Sequence, residues 1–203
     1  MSANDSIELR WIQLAIGLGI ATSVVYPSLI FLPLPQLLTI ILAAAIGPLL
    51  GLASLGLYRF LRLNKPSVSA QLASACNLLG GALFTTMLLV QLAVRLRAAG
   101  QPIDRQVVAV WLGLDVAWDV YIALGTAFFA WAMWSHPRLG RGFAVSGIFI
   151  AVLLLSFNLY SFPEPPGENN LIDLGPFVGL WYLAVTIQMW RSLSWVRQAL
   201  AAF

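Results

Sequence analysis

The sequence predicts an all-α integral membrane protein that forms one bundle of six membrane-crossing helices. Apolar residues make up 60% of its 203 positions and charged residues only 9%, whereas soluble domains carry roughly 25% charged residues. The mean hydropathy is +0.87. One soluble core cannot bury this much apolar surface, so a large part of it must face lipid.

Six apolar runs follow one another, and each is long enough to cross a bilayer as a helix. They cover about residues 7–31, 36–61, 67–96, 107–133, 142–162 and 171–195. The joints between them are short. Because no joint is long enough to form a soluble unit of its own, we expect residues 1–203 to form a single membrane domain.

Prolines and glycines mark the ends and the interiors of these runs. The first run ends at the Leu-Pro-Leu-Pro joint, residues 32–35, because proline has no N–H and disfavours a helical residue before it. Pro48 lies inside the second run beside Gly47, which favours a kinked, closely packed helix over a gating hinge. Asn170 lies three residues before Asp173, which predicts a variant capping box at the start of the sixth helix.

The third run carries polar residues along one side. At 100° per residue, one stripe of this helix contains Asn77, Phe84, Leu88, Gln91 and Arg95. This side should therefore face the interior of the bundle.

The fourth run contains two carboxylates, Asp115 and Asp119, one helical turn apart. A charge at the centre of a bilayer costs about 2.5 to 3.5 kcal/mol, so two on one helix must be paired or functional. Trp118 and Thr126 share their face, and the opposite face is apolar. We therefore expect both carboxylates to point into the bundle, with Asp119 near the midplane.

The distribution of basic residues predicts the orientation. With a cytoplasmic N-terminus, eight Lys and Arg residues lie in cytoplasmic joints, and Arg95, Arg97 and Arg105 lie outside. Positive charge accumulates on the cytoplasmic side, so both termini should be cytoplasmic. The stretch from Asp119 to Trp181 resembles that of bacterial six-helix membrane proteins, and no motif in it matches a family of known activity. We expect the protein to be integral to a bacterial cytoplasmic membrane.

The first functional hypothesis is binding or movement of a small polar or cationic solute. Its interior site would contain Asp115, Asp119, Asn77, Gln91, Thr126 and Asn158. Two carboxylates one turn apart cannot both be charged at low cost in a low dielectric, so a proton or a cation should accompany them. This gives proton coupling a physical basis. The acidic residues of the external joint, Glu164, Glu168 and Asp173, would concentrate cations at its mouth.

The second hypothesis is a structural role, as a homo-oligomer or as the partner subunit of a membrane complex. Arg95 would then pair with Asp115, and neighbouring hydroxyl or amide groups would satisfy Asp119. Such hydrogen bonds contribute only about 0.6 to 2 kcal/mol each in membranes. The acids would then specify packing and would bind no solute.

A lipid-modifying enzyme is the third hypothesis. The carboxylates would hold Mg²⁺ or act as acid and base, but the chain has a single D-x-x-x-D pattern. His136 and Cys76 are the only residues of their kinds, which argues against a zinc or di-iron site. We expect no cofactor and no metal. The net charge of +3 is spread over short joints, so we also expect no nucleic-acid partner.

Overall fold

The computed structural model describes residues 3–201, and this part of the chain is helical apart from short joints. It contains seven α-helices and one 3-10 turn, Pro166–Asn169. The helices are α1 (Ala3–Phe31), α2 (Gln36–Arg62), α3 (Val68–Ala98), α4 (Arg105–Met133), α5 (Gly140–Ser161), α6 (Gly175–Arg191) and α7 (Leu193–Ala201). The all-α prediction is confirmed.

Five of these helices, α1 to α5, are long and apolar enough to cross a membrane. They begin and end within a few residues of the bounds predicted from hydropathy. Side chains form the caps of two of them. Ser67 Oγ accepts the Ala70 N–H at the start of α3 (3.3 Å), and Asp104 Oδ1 accepts the Gln106 N–H at the start of α4 (2.7 Å).

The sixth predicted helix, 171–195, is two helices in the structure. α6 begins only at Gly175, because Pro176 lacks an N–H and so fits the first turn of a helix but not its interior. α6 ends at Arg191, and the Ser192 N–H bonds back to carbonyls of the last turn. The chain then turns into α7, whose Val196 side chain is fully buried.

The predicted capping box at the start of this helix is wrong. Asp173 Oδ1 instead accepts the N–H of Gly175, at 2.8 Å, so Asp173 satisfies one of the free N–H groups at the start of α6. Asn170 lies outside the helix, with a left-handed φ of 56° after the 3-10 turn. Asparagine tolerates this conformation better than most residues.

Consecutive helices pack against each other from α1 to α6, and α6 also packs against α1, so six helices form a closed ring. The approach of α2 to α3 is especially close. A methyl group on Gly47 would overlap the Gly81 carbonyl oxygen, and the Gly47 N–H donates to Thr85 Oγ1 at 3.1 Å. This agrees with the prediction that the glycine beside Pro48 serves close helix packing.

We name the two ends of the ring the His136 end and the cavity end. At the His136 end, α1, α3 and α5 begin and α2, α4 and α6 end. The imidazole of His136 lies between the rings of Phe60 and Trp195, with centroid distances of 5.1 and 5.2 Å. Arg59 forms an ion pair with Glu8 at the same end, 2.6 Å between Nη1 and Oε1.

The helices reach different heights at the cavity end. Asp119 lies at the midpoint of α4, so α4 extends about 20 Å past it towards this end. Asn158, which is hydrogen bonded to Asp119, already lies in the last turn of α5. Gly175, the first residue of α6, lines a cavity together with Asp119. The joint 162–174 therefore takes the space that longer helices would fill.

Candidate functional site

The space above Asp119 is a cavity of about 440 Å³, here called the acidic cavity. Its wall comes from α1, α3, α4, the joint 162–174 and the first residue of α6. The lining residues are Tyr26, Ile30, Phe84, Met87, Leu88, Gln91, Asp115, Trp118, Asp119, Pro165, Pro166, Gly167, Asp173 and Gly175. Three of them are aspartates, and none of them is Lys or Arg.

Asp119 is the deepest of the three carboxylates, with 5% of its surface exposed. The Asn158 Nδ2 of α5 donates to Asp119 Oδ2 at 2.9 Å and to the Leu154 carbonyl at 3.0 Å. Both acceptors require the NH₂ side of the amide, which fixes the orientation of Asn158. This residue lies behind Asp119 and does not line the acidic cavity.

The other polar residues of the cavity lie nearer its mouth. Asp115 is half-buried, one turn above Asp119 on the same face of α4, and Gln91 is half-buried on α3. Asp173 is exposed and reaches the cavity from the joint before α6. The structure therefore brings together four of the residues selected from the sequence as a solute site or its acidic mouth.

Three aromatic rings form a layer next to these carboxylates. The ring of Phe84 stacks on that of Trp118, with centroids 4.3 Å apart, and it lies 5.7 Å from the ring of Tyr26. All three residues line the acidic cavity. Sequence reasoning placed Trp118 and Phe84 on inward faces but assigned them no role, and it missed Tyr26.

A second cavity, of about 280 Å³, adjoins this aromatic layer and lies between α1, α2 and α6. We call it the lateral cleft. It shares Tyr26, Ile30, Phe84, Trp118 and Gly175 with the acidic cavity. Its remaining lining is mainly apolar. The lining includes Phe31 and Leu180, which are 77% and 62% exposed on the outside of the ring, so the cleft opens sideways.

Two residues predicted for the solute site, Asn77 and Thr126, belong to a separate polar cluster. Asn77 Nδ2 donates to the Tyr182 hydroxyl at 2.9 Å, and the Thr126 hydroxyl lies 3.2 Å from the same oxygen. Thr126 lies two turns from Asp119, about 10 Å along α4. Neither Asn77 nor Thr126 lines the acidic cavity. The predicted site is therefore divided between two places.

The remaining predicted residues lie towards the surface. Arg95 is exposed, and its guanidinium carbon lies 5.9 Å from the centroid of the Trp111 ring. Its ion pair with Asp115 stays a prediction. Glu164 is exposed and does not line the acidic cavity. The side chain of Glu168 lies outside the described part of the structure.

Among the side chains that the structure describes, which exclude that of Glu168, no three His, Cys, Asp or Glu side chains converge as a metal site would require. The three aspartates are instead spread around the cavity. Comparisons with protein-family models, with curated proteins and with solved structures find no match for this chain.

Proposed function

We propose that this protein binds a small organic cation in the acidic cavity and moves it across the membrane. The observation that supports this most strongly is the composition of the cavity wall. Asp115, Asp119 and Asp173 place three carboxyl groups around one space, and none of the residues that line it is Lys or Arg. Carboxylates at this depth are costly to keep, which makes a ligand a reasonable explanation for them.

The aromatic layer favours an organic cation over a bare metal ion. Ring faces attract cations, and quaternary ammonium groups are typically recognised in this way. The cavity volume of about 440 Å³ lies within the range of sites for small molecules. Separated carboxylates around such a space suit a solute with several contact points, whereas a metal ion needs converging oxygen ligands.

The proposed topology has six crossings, with both termini in the cytoplasm. The sixth crossing would consist of the joint 162–174 and α6, whose 17 residues extend about 25 Å. At the other end of α6, Gln188 Nε2 donates to the Arg138 carbonyl in the joint after α4 (2.8 Å). With the cavity end outside, the excess of basic residues lies inside, and the acidic cavity opens to the exterior.

Binding can be tested with tetramethylammonium and the purified protein. We expect saturable binding that Asp115→Asn weakens at least tenfold, because this carboxylate lines the cavity. Glu164→Gln is the matched control, since Glu164 is an exposed carboxylate outside the cavity, and we expect its affinity within twofold of wild type. Absence of binding, or equal losses in both variants, would refute the proposed site.

Movement requires a second measurement in proteoliposomes. Labelled tetramethylammonium should accumulate when a proton gradient is imposed, because the cation and a proton would alternate on the paired carboxylates. Asp119→Asn should abolish the dependence on the gradient. Uptake that the gradient leaves unchanged would refute proton coupling, and binding without any uptake would refute transport.

A structural subunit is the alternative function. It is supported by the hydrogen bond from Asn158 to Asp119, which satisfies the buried acid within the chain. This alternative predicts no solute binding and a stable association with another membrane chain or a second copy. The lipid-modifying enzyme stays a prediction. The lateral cleft would suit a lipid substrate, but both interior carboxylates lie on one helix, α4.

A further inference from the structure

We infer that the cation carries an apolar chain, which lies in the lateral cleft while the charged group occupies the acidic cavity. This inference rests on the proposed function and names the class of its solute: an amphiphilic organic cation such as an alkylammonium. The feature that supports it is that the two cavities adjoin each other and share five lining residues. A polar and an apolar compartment with a shared wall match a molecule that has one polar and one apolar end.

The shared wall contains the aromatic layer. Tyr26, Phe84 and Trp118 line both the acidic cavity and the lateral cleft. Aromatic faces accept an ammonium group on one side and pack against methylene groups on the other. The three rings therefore lie where the charged head of such a molecule would join its apolar chain.

The lateral cleft suits a flexible chain in both size and lining. Its volume of about 280 Å³ is nearly twice that of an apolar cavity of roughly 150 Å³ that can hold benzene. Leu50 and Ile122 contribute to the inner wall. An apolar space of this kind excludes water. An acyl or alkyl chain from the surrounding bilayer is the natural occupant.

The opening of the cleft lies between α1 and α6, at Phe31 and Leu180, which are both exposed on the lipid-facing surface. An amphiphile dissolved in the outer half of the bilayer could enter sideways, chain first, without crossing water. Gly179 on α6 widens this opening, because a Cβ atom added there would meet no other atom within 4 Å. A larger side chain at this position would occupy space in the cleft.

The experiment measures binding of a series of alkyltrimethylammonium ions to the detergent-purified protein, each below its micelle-forming concentration. The series runs from tetramethylammonium through hexyl to decyl. We expect the affinity to rise about three- to fourfold for each methylene that the cleft buries, and then to level off when the cleft is full. An alkyl glucoside of equal chain length, which lacks charge, should bind at least tenfold more weakly.

Gly179→Leu tests the cleft without changing a carboxylate. It should weaken the binding of decyltrimethylammonium at least tenfold and leave the affinity for tetramethylammonium within twofold of wild type. Gly17→Leu is the matched control, since Gly17 is a helical glycine on α1 that also has nothing within 4 Å and does not line the cleft. This variant should behave like wild type with every member of the series, which also corrects for partition into micelles.

The outcomes separate the inference from the function on which it rests. Tetramethylammonium binding with no dependence on chain length would refute the cleft as a chain site and leave the organic-cation site intact. If no ammonium ion binds, the proposed function fails as well. If the alkyl glucoside binds as tightly as the ammonium of equal length, the cleft holds apolar chains in general, and the link between head and chain is wrong.

Discussion

Asn158 in the last turn of α5 donates a hydrogen bond to Asp119 at the midpoint of α4, and both side chains are at least 95% buried. The bond joins the end of one helix to the centre of another. It therefore fixes the height at which α5 ends relative to α4. That height in turn determines where the joint 162–174 must pass and how much space remains above Asp119.

Removing this donor should destabilise the fold. We expect Asn158→Leu to lower the free energy of unfolding by about 1 to 2 kcal/mol, because Asp119 loses its amide donor. Ser156→Leu is the control, since Ser156 is exposed on the same helix. The measurement is reversible unfolding in mixed micelles.

A double-mutant cycle makes this test specific. In an Asp119→Leu background, Asn158→Leu should lower the free energy of unfolding by less than it does in wild type. The reason is that the carboxylate to which Asn158 donates is absent from that background. Equal losses of unfolding free energy in the two backgrounds would show that the effect of Asn158 comes from packing alone.

The hydroxyl of Tyr182 should also contribute to stability. It accepts from the buried Asn77 amide at 2.9 Å, so Tyr182→Phe leaves a buried N–H without this acceptor. We expect a loss of about 1 to 2 kcal/mol in the free energy of unfolding. Tyr160→Phe removes the same atom from a side chain that is 84% exposed, and it should change stability by less than about 0.5 kcal/mol. Similar losses in the two variants would contradict a structural role for the Asn77–Tyr182 bond.

His136 should make stability depend on pH at the His136 end. It lies in the joint between α4 and α5 and is 3% exposed. Burial lowers the pKa of His136 to about 4, and the nearby charge of Arg138 acts in the same direction. An unfolded histidine has a pKa near 6.5, so between these values the unfolded state binds more protons. Stability should then be full above pH 6.5 and fall as the pH drops towards 4.

The size of this effect is on the order of 2 to 3 kcal/mol between pH 7 and pH 4. Melting temperatures of wild type and His136→Asn as a function of pH measure this effect. Asparagine does not titrate, and it can still accept the Arg138 N–H, which His136 Nδ1 accepts at 3.3 Å in wild type. Carboxylates titrate equally in both proteins, so the difference isolates the histidine. Parallel curves over this range would contradict a buried, neutral His136.

The proposed six-crossing topology predicts which positions a membrane-impermeant maleimide can label. In a Cys76→Ser background, a single cysteine at the exposed position Gly167 should react in intact cells. Cysteines at exposed Asn64 and Gln198 should react only after permeabilisation, because both would be cytoplasmic. If Gln198→Cys were labelled together with Gly167→Cys, α6 would not complete a crossing, and the C-terminal helix would lie outside.

The sequence alone predicted the helices well, because membrane-length apolar runs need no tertiary information. The two inward faces of α3 and α4 followed from helical periodicity, and this placed Gln91, Asp115 and Asp119 together. The late start of α6 was harder to predict from the sequence. The apolar run continues through Leu171 and Ile172, and only Pro176 indicates that the helix begins later.

Details of the site depended on the relative positions of the helices along the bundle axis, which the patterns in a single sequence do not reveal. Asn158 and Asn77 look alike in a list of polar residues, yet one supports Asp119 and the other bonds to Tyr182. Tyr26 gave no signal, because a tyrosine near the end of a helix is also typical of a membrane interface. The adjacency of the two cavities was also not predictable, because their shared lining residues come from α1, α3, α4 and α6.

The closure of the ring by α6 on α1 has a consequence for biosynthesis. Helices leave the ribosome in order, so the wall containing Tyr26 is made first and the wall containing Gly175 is made last. A nascent chain that ends after α5 has Asp119 and its Asn158 partner but lacks one side of both cavities. Both cavities therefore form only after α6 has been made, and a ligand that binds in them would stabilise chains that contain α6 and leave truncated ones unprotected.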